Sequence, residues 1–171
     1  MMQVFSFPAL TTITLFFAIW ATAPILLALV CLFLPDSVFA PNRFLWRAHA
    51  WEREGRVYED VFRVRRWKHL LPDGGGIWKQ RGYKKRNLTD YSKENLRRFL
   101  VESSRGELTH WLGITPFWVF GLFAPGWVVW IMLIYALVVN LPCIIAQRYN
   151  RPRVLALYRR LYPSGGVTPA K

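Results

Sequence analysis

The stretch TTITLFFAIWATAPILLALVCLFL, Thr11 to Leu34, is 24 residues long and contains no charged side chain. Wound as a helix it reaches roughly 36 Å, enough to cross a hydrocarbon core of about 30 Å with some tilt. A cleaved signal peptide is the competing reading, and three features oppose it. The first ten residues hold no Lys or Arg, the apolar run is too long, and Pro41 follows Ala40, the only small-residue candidate for cleavage. An uncleaved span is expected.

The remainder of the 171 residues fits the same reading. Hydrophobic residues make up 53% of the chain and there are 9 Trp, more than a small water-soluble core uses. Yet the chain also carries 23 Lys and Arg against 10 Asp and Glu, a formal charge of +13. The two features coexist because they are segregated: Met1–Pro35 and Trp111–Gln147 are free of charge. The second run, 37 residues long, is too long for one crossing. It breaks at Gly121-Leu122-Phe123-Ala124-Pro125-Gly126, where one Pro and two Gly can turn the chain. The pattern predicts a short helix from about Glu107 to Phe120, interrupted by Pro116, and a longer one from about Trp127 to Gln147. The expected fold is all-α: a multi-pass membrane protein of about three transmembrane helices, one N-terminal span plus a C-terminal helical hairpin, with an amphipathic cytosolic segment.

Residues 1–41 contain no Lys or Arg, residues 42–110 contain 17 and residues 148–171 contain six. The positive-inside rule then expects a cell-membrane protein with its N-terminus outside and its central segment and C-terminus in the cytoplasm. Four segments follow: 1–41 with the first span, 42–106 basic and interfacial, 107–148 the hairpin, and 149–171 a basic tail that ends flexibly from Pro163. Cys31 and Cys143 lie inside apolar runs as packing residues, and with three His they make no zinc pattern, so no metal is expected. Oligomeric state leaves no mark in the sequence.

The basic segment opens with NRFLWRAHAWEREGR, Asn42 to Arg56, which mixes Phe, Leu and Trp with Arg as a helix lying on an anionic leaflet would. Membrane lipids are thus expected partners. Nucleic acid is not, since orientation explains the charge and no nucleic-acid motif is present. Pro72 to Gly76 reads as a turn, and Thr89-Asp90-Tyr91-Ser92 offers caps to a helix from about Lys93 to Arg105 with Leu96, Phe99 and Leu100 on one face.

Three clusters carry candidate chemistry. In Trp67-Lys68-His69-Leu70-Leu71-Pro72-Asp73, a His four residues before a carboxylate can be oriented and made basic, as deprotonating an alcohol requires. A Pro-Asp-Gly turn beside an interfacial His explains the same residues, and the spacing misses by one the HxxxxD of glycerolipid acyltransferases. In Glu102-Ser-Ser-Arg105-Gly106-Glu107-Leu108-Thr109-His110-Trp111, Glu107 and His110 share a helical face and Arg105 lies three from Glu102. Ionisable groups entering a bilayer are costly unless paired or functional. His110 beside Trp111 equally suits an aromatic belt. The third cluster, Gln147-Arg148-Tyr149-Asn150-Arg151-Pro152-Arg153, follows Asn140-Leu141-Pro142, which is expected to kink the last span. Its three Arg suit a phosphate or headgroup, and equally a stop-transfer flank.

Taken in order, WKHLLPDG at Trp67–Gly74, ESSRGELTHW at Glu102–Trp111 and NLPCIIAQRYNRPR at Asn140–Arg153 resemble the glycosyl-4,4'-diaponeurosporenoate acyltransferases of carotenoid pigment synthesis. The likeness runs from about Trp51 to Tyr158, and QRYNRPR is its most specific part. Departures are Gly106 where the family tends to have Ala, the extra Gly75-Gly76, and a longer, Trp-rich N-terminal portion.

The resemblance implies a small membrane enzyme that esterifies a sugar hydroxyl of a glycosylated carotenoid acid with a fatty acyl chain. Its partners would be a lipophilic glycoside acceptor and a fatty acyl donor. No resident cofactor is implied; an acyl thioester, on coenzyme A or acyl carrier protein, would be the co-substrate. From the chemistry, His69 or His110 would take the proton of the attacking hydroxyl, with Asp73 or Glu107 respectively orienting that His. Arg105, Arg148 and Arg151 would hold a carboxylate or phosphate, and Asn150 would donate to the acyl carbonyl. Two rivals stand beside this reading: a non-enzymatic protein binding acidic lipid or a partner complex, and an acyltransferase of the same family acting on another glycolipid or a polysaccharide.

Overall fold

A computed structural model describes residues 3–71 and 90–163. Every regular element among them is helical: α1 (Ala9–Phe33), α2 (Arg56–Phe62), α3 (Val64–Trp67), α4 (Lys93–Ile114) and α5 (Gly126–Leu161), joined by short 3-10 turns. The expected turn at Pro72–Gly76, Asp73 within it, and the tail beyond Pro163 lie outside the described residues. The chain divides into two compact units, residues 1–33 with 108–141, and residues 34–107 with 142–171. The first unit contains no Asp, Glu, Lys or Arg; all 23 basic and all 10 acidic residues belong to the second.

In the uncharged unit, α1 is long and apolar enough to cross a bilayer, as is α5. Of α1 only Cys31 is buried, while Leu10, Ile13, Phe17, Leu26 and Phe33 face outward. The hydroxyls of Thr14 and Thr22 donate back to Leu10 O and Ala18 O at 2.9 and 2.7 Å, which satisfies them without water. Trp20 lies edge-on to Phe120 and tilted against Tyr135, and Phe16 meets Phe120 and Phe123. The backbone N–H groups of Val4 and Phe5 both donate to Leu122 O, tying the N-terminal segment to the turn before α5.

The expected short helix from Glu107 to Phe120 is not one element. α4 runs unbroken from Lys93 to Ile114, and a 3-10 helix, Thr115–Leu122, takes over where Pro116 lacks the N–H that an α-helix would use. The turn at Gly121–Gly126 is where it was expected. α5 then continues past Gln147 to Leu161 with Pro142 and Pro152 inside it, so the motif QRYNRPR is helical. Its uncharged part, Gly126 to Gln147, is the part suited to hydrocarbon.

In the charged unit, α4 and α5 pair antiparallel. Leu96, Phe99 and Leu100 form the expected face and pack on Val154, Leu155 and Tyr158. Ser92 caps α4, its Oγ accepting from Asn95 N at 3.4 Å, and Asp90 fixes Ser92 through both carboxylate oxygens at 2.8 Å. A second cluster joins Tyr58 and Val64 to Tyr149. The expected interfacial helix over Asn42–Arg56 is replaced by turns and a 3-10 helix, Ala50–Gly55. The reason is that two of its side chains turn inward: Trp46 is buried with its indole N–H on Val38 O at 2.8 Å, and Glu52 is buried at 1% exposure. Phe44, Leu45 and Trp51 do stay exposed.

Candidate active site

The charged unit is held around a buried ion network. Glu107, on α4, is fully buried, and one helical turn of α5 brings two guanidinium groups to it. Arg148 Nε lies 2.6 Å from Glu107 Oε1, and Arg151 Nη1 lies 2.6 Å from Oε2. Spacing three apart on α5 is what lets both Arg reach one carboxylate. Arg148 also donates to Leu45 O at 3.0 Å and comes within 3.8 Å of Glu52 Oε1. Glu52 in turn accepts from Tyr58 OH at 2.8 Å and from His49 N at 2.7 Å. Two carboxylates and two guanidiniums thus alternate, which is how buried charge is tolerated. Burial and the Glu52 carboxylate push the Tyr58 phenol well above its ordinary range.

Glu52 is held by unusual backbone. Arg53, Glu54 and Gly55 follow it with φ of 48°, 55° and 85°, three successive left-handed residues of which two carry side chains. Gly55 is the position that needs glycine: a Cβ there would collide with the carbonyl oxygen of Tyr149.

Arg105 forms a separate group, pairing with Glu102 and Asp36, each at 2.5 Å, and lying over the Phe39 ring. The pairing with Glu102 follows the three-residue spacing. All three predicted anion-binding arginines, Arg105, Arg148 and Arg151, face carboxylates of the protein itself. Asn150 accepts from Lys68 Nζ at 3.1 Å. His69 is exposed in the 3-10 turn Lys68–Leu70. Its expected partner Asp73 is outside the described residues.

His110 belongs to the uncharged unit. Its Nδ1 lies 3.0 Å from Asn140 Oδ1, and Asn140 Nδ2 donates to Ala136 O at 2.9 Å. The second bond fixes the amide so that its oxygen faces the ring, where it can accept from Nδ1–H. Gly113 makes room for this, since a Cβ there would stand 3.0 Å from Asn140 Oδ1. Among the described residues no group of three His, Cys, Asp or Glu could hold a metal ion.

The three motifs come together in the charged unit. Lys68 reaches Asn150, Ser103 Oγ donates to Gln147 Oε1 at 2.8 Å, and Glu107 binds Arg148 and Arg151. Glu52, Tyr58 and Asp36 were not legible in advance, because each sits among charged or exposed neighbours that mimic a solvated surface. Asn140 showed only as the first residue of the Asn140–Arg153 motif, two before a Pro.

A family model described as glycosyl-4,4'-diaponeurosporenoate acyltransferase matches residues 41–160. Proteins of that name are similar to this chain. One from Staphylococcus haemolyticus (strain JCSC1435) is 33% identical over 142 residues, 83% of this chain and 82% of its own. One from Staphylococcus aureus (strain Newman) is 35% identical over 132 residues, 77% and 79% respectively. No solved structure matches the chain.

Proposed function

The chain belongs to the glycosyl-4,4'-diaponeurosporenoate acyltransferase family, and on that premise we propose that it transfers a fatty acyl chain to a sugar hydroxyl of a glycosylated carotenoid acid. It is an acyltransferase, and the observation that carries this reading to particular residues is the convergence of its three motifs. The acyl donor in this reading is a thioester of coenzyme A or acyl carrier protein.

The hydroxyl oxygen attacks the thioester carbonyl carbon while a His takes its proton. The C–O bond forms, the tetrahedral intermediate collapses, the C–S bond breaks, and the thiolate recovers the proton from the His. His110 is favoured as that base by its Asn140 partner, which orients the ring through Nδ1. His69, with Asp73, is the alternative. Glu107 acts through Arg148 and Arg151, whose positive charge would stabilise the developing oxyanion or a substrate anion. Arg105 and Asn150 would position donor or acceptor.

The segregation of every charge into one unit supports a cell-membrane protein with about three crossings, its N-terminus outside and its charged unit, amphipathic entry included, in the cytoplasm. Mass spectrometry of lipid extracts tests the reaction, in a host making the glycosylated carotenoid acid with and without this chain. A species heavier by one fatty acyl group, lost in His110→Ala or His69→Ala at equal protein level, is expected. No new mass with stable protein in the membrane would overturn the acceptor assignment, and full turnover in both variants would overturn the base.

A further inference from the structure

Beside the buried network, α3, the 3-10 turn after it and α5 turn a different set of charges outward: Arg65, Lys68 and Arg153. Tyr149 is buried to 1% exposure, and three cations converge on it. Arg65 Nε donates to its hydroxyl at 3.0 Å, Lys68 Nζ stands 5.0 Å from the ring centre, and the Arg153 guanidinium stands 4.8 Å from it. Their side chains are exposed while the ring beneath them is not. Among the described residues no carboxylate forms an ion pair with any of the three. Glu59, whose field reaches Arg65 and Lys68, accepts the backbone N–H of Arg65 instead.

One aromatic ring attracts one or two cations; it does not offset the mutual repulsion of three. The repulsion shows at Lys68, whose amine is held below its ordinary range by burial and then by Arg153 and Arg65. Arg65 spends Nε on Tyr149 and Lys68 spends one proton on Asn150, which fixes both while leaving their other donors pointed outward. Gly55 lets α5 approach closely enough to bring Arg153 into the group, its Cγ lying against that position. A preorganised, solvent-open trio of donors that no carboxylate among the described residues pairs with is what an oxyanion of two or more negative charges requires.

We propose that Arg65, Lys68 and Arg153, arrayed around Tyr149 and Asn150, form a phosphate-binding site. Its ligand is a phosphate ester, from either a soluble carrier or a lipid headgroup. Assigning it to the phosphates of the acyl donor rests on the acyl-transfer reading; the site itself does not.

The test uses the full chain in neutral detergent. Coenzyme A is titrated in, with inorganic pyrophosphate as competitor, and phosphatidylglycerol is titrated in parallel as mixed micelles. Lys68→Gln with Arg153→Gln is expected to weaken one of these ligands roughly tenfold or more, while Lys68→Arg with Arg153→Lys retains binding and shows that the fold is intact. Loss confined to coenzyme A identifies the soluble carrier, and loss confined to phosphatidylglycerol identifies the lipid. Unchanged binding of both probes in the Gln variant overturns the site. Acyl transfer is scored separately. Product formed by wild type without any effect on binding removes the site alone, and phosphate binding without product removes the acyl-transfer reading alone.

Discussion

Glu107 is the residue on which the charged unit turns, because its single carboxylate answers two guanidiniums in a place with no solvent. Glu107→Gln leaves Arg148 and Arg151 facing a neutral amide, and a loss of about 3–5 kcal/mol is expected in denaturant unfolding. Combining it with Arg151→Met removes the excess charge and leaves Arg148 with Glu52, so the double variant should be more stable than Glu107→Gln alone. Additive losses would show that the charges do not compensate one another. Tyr58 adds a pH test. Its phenol is raised in the fold, so the stability it contributes is present below its unfolded value near 10 and is lost as pH rises above it. Wild type should lose stability above pH 10 more steeply than Tyr58→Phe; parallel curves would remove Tyr58 from the balance. At His110 the matching test is Asn140→Ala, which deletes the acceptor for Nδ1–H. Turnover should fall roughly ten- to a hundredfold with protein level unchanged, and unchanged turnover would sever Asn140 from the chemistry.

Among elements, the apolar face of α4 was the part most open to sequence reading. Leu96, Phe99 and Leu100 announce a helical face by spacing, and Glu102 to Arg105 announces an ion pair by the same rule. The length of α4 and α5 was not legible. Arg148 to Arg153 looks like the polar edge of a membrane, and only the opposing Glu107 and Ser103 show that the helix goes on. The segment around Glu52 failed for a related reason: alternating Trp and Arg describe an interfacial helix by composition, whereas Trp46 and Glu52 are buried against Arg151 and Arg148, about 100 residues away. Two substitutions probe the elements. Tyr158 is fully buried in the α4–α5 core, and its hydroxyl has no hydrogen-bond partner among the described residues. Tyr158→Phe should be neutral or stabilising by up to about 1 kcal/mol, whereas Leu100→Ala in the same core should cost about 2–5 kcal/mol. A clear loss in Tyr158→Phe would reveal a partner for the hydroxyl.

For the whole molecule, the decisive property is that the unit defined by packing alone, residues 1–33 with 108–141, is also the unit without a single charged side chain. Composition and contact need not agree, since an uncharged segment could fold back among charged ones. By composition one unit suits hydrocarbon, where an unpaired ion is prohibitive, and the other suits water or headgroups. At the start of the charged stretch of α5, Gln147 accepts from Ser103, and Glu107 of α4 binds Arg148 and Arg151. This predicts a topology that can be measured. Single cysteines placed at Arg47, Asp60 and Arg160, in a chain with Cys31 and Cys143 replaced by Ala, should react with a membrane-impermeant maleimide only in inverted vesicles. A cysteine at Gln3 should react only in right-side-out cells. Labelling of Arg47 and Arg160 positions from opposite faces would place the charged unit on two sides of the bilayer and overturn the sorting. Labelling of all three from outside would instead reverse the orientation, putting the site away from the cytosolic acyl thioesters that the proposed reaction consumes.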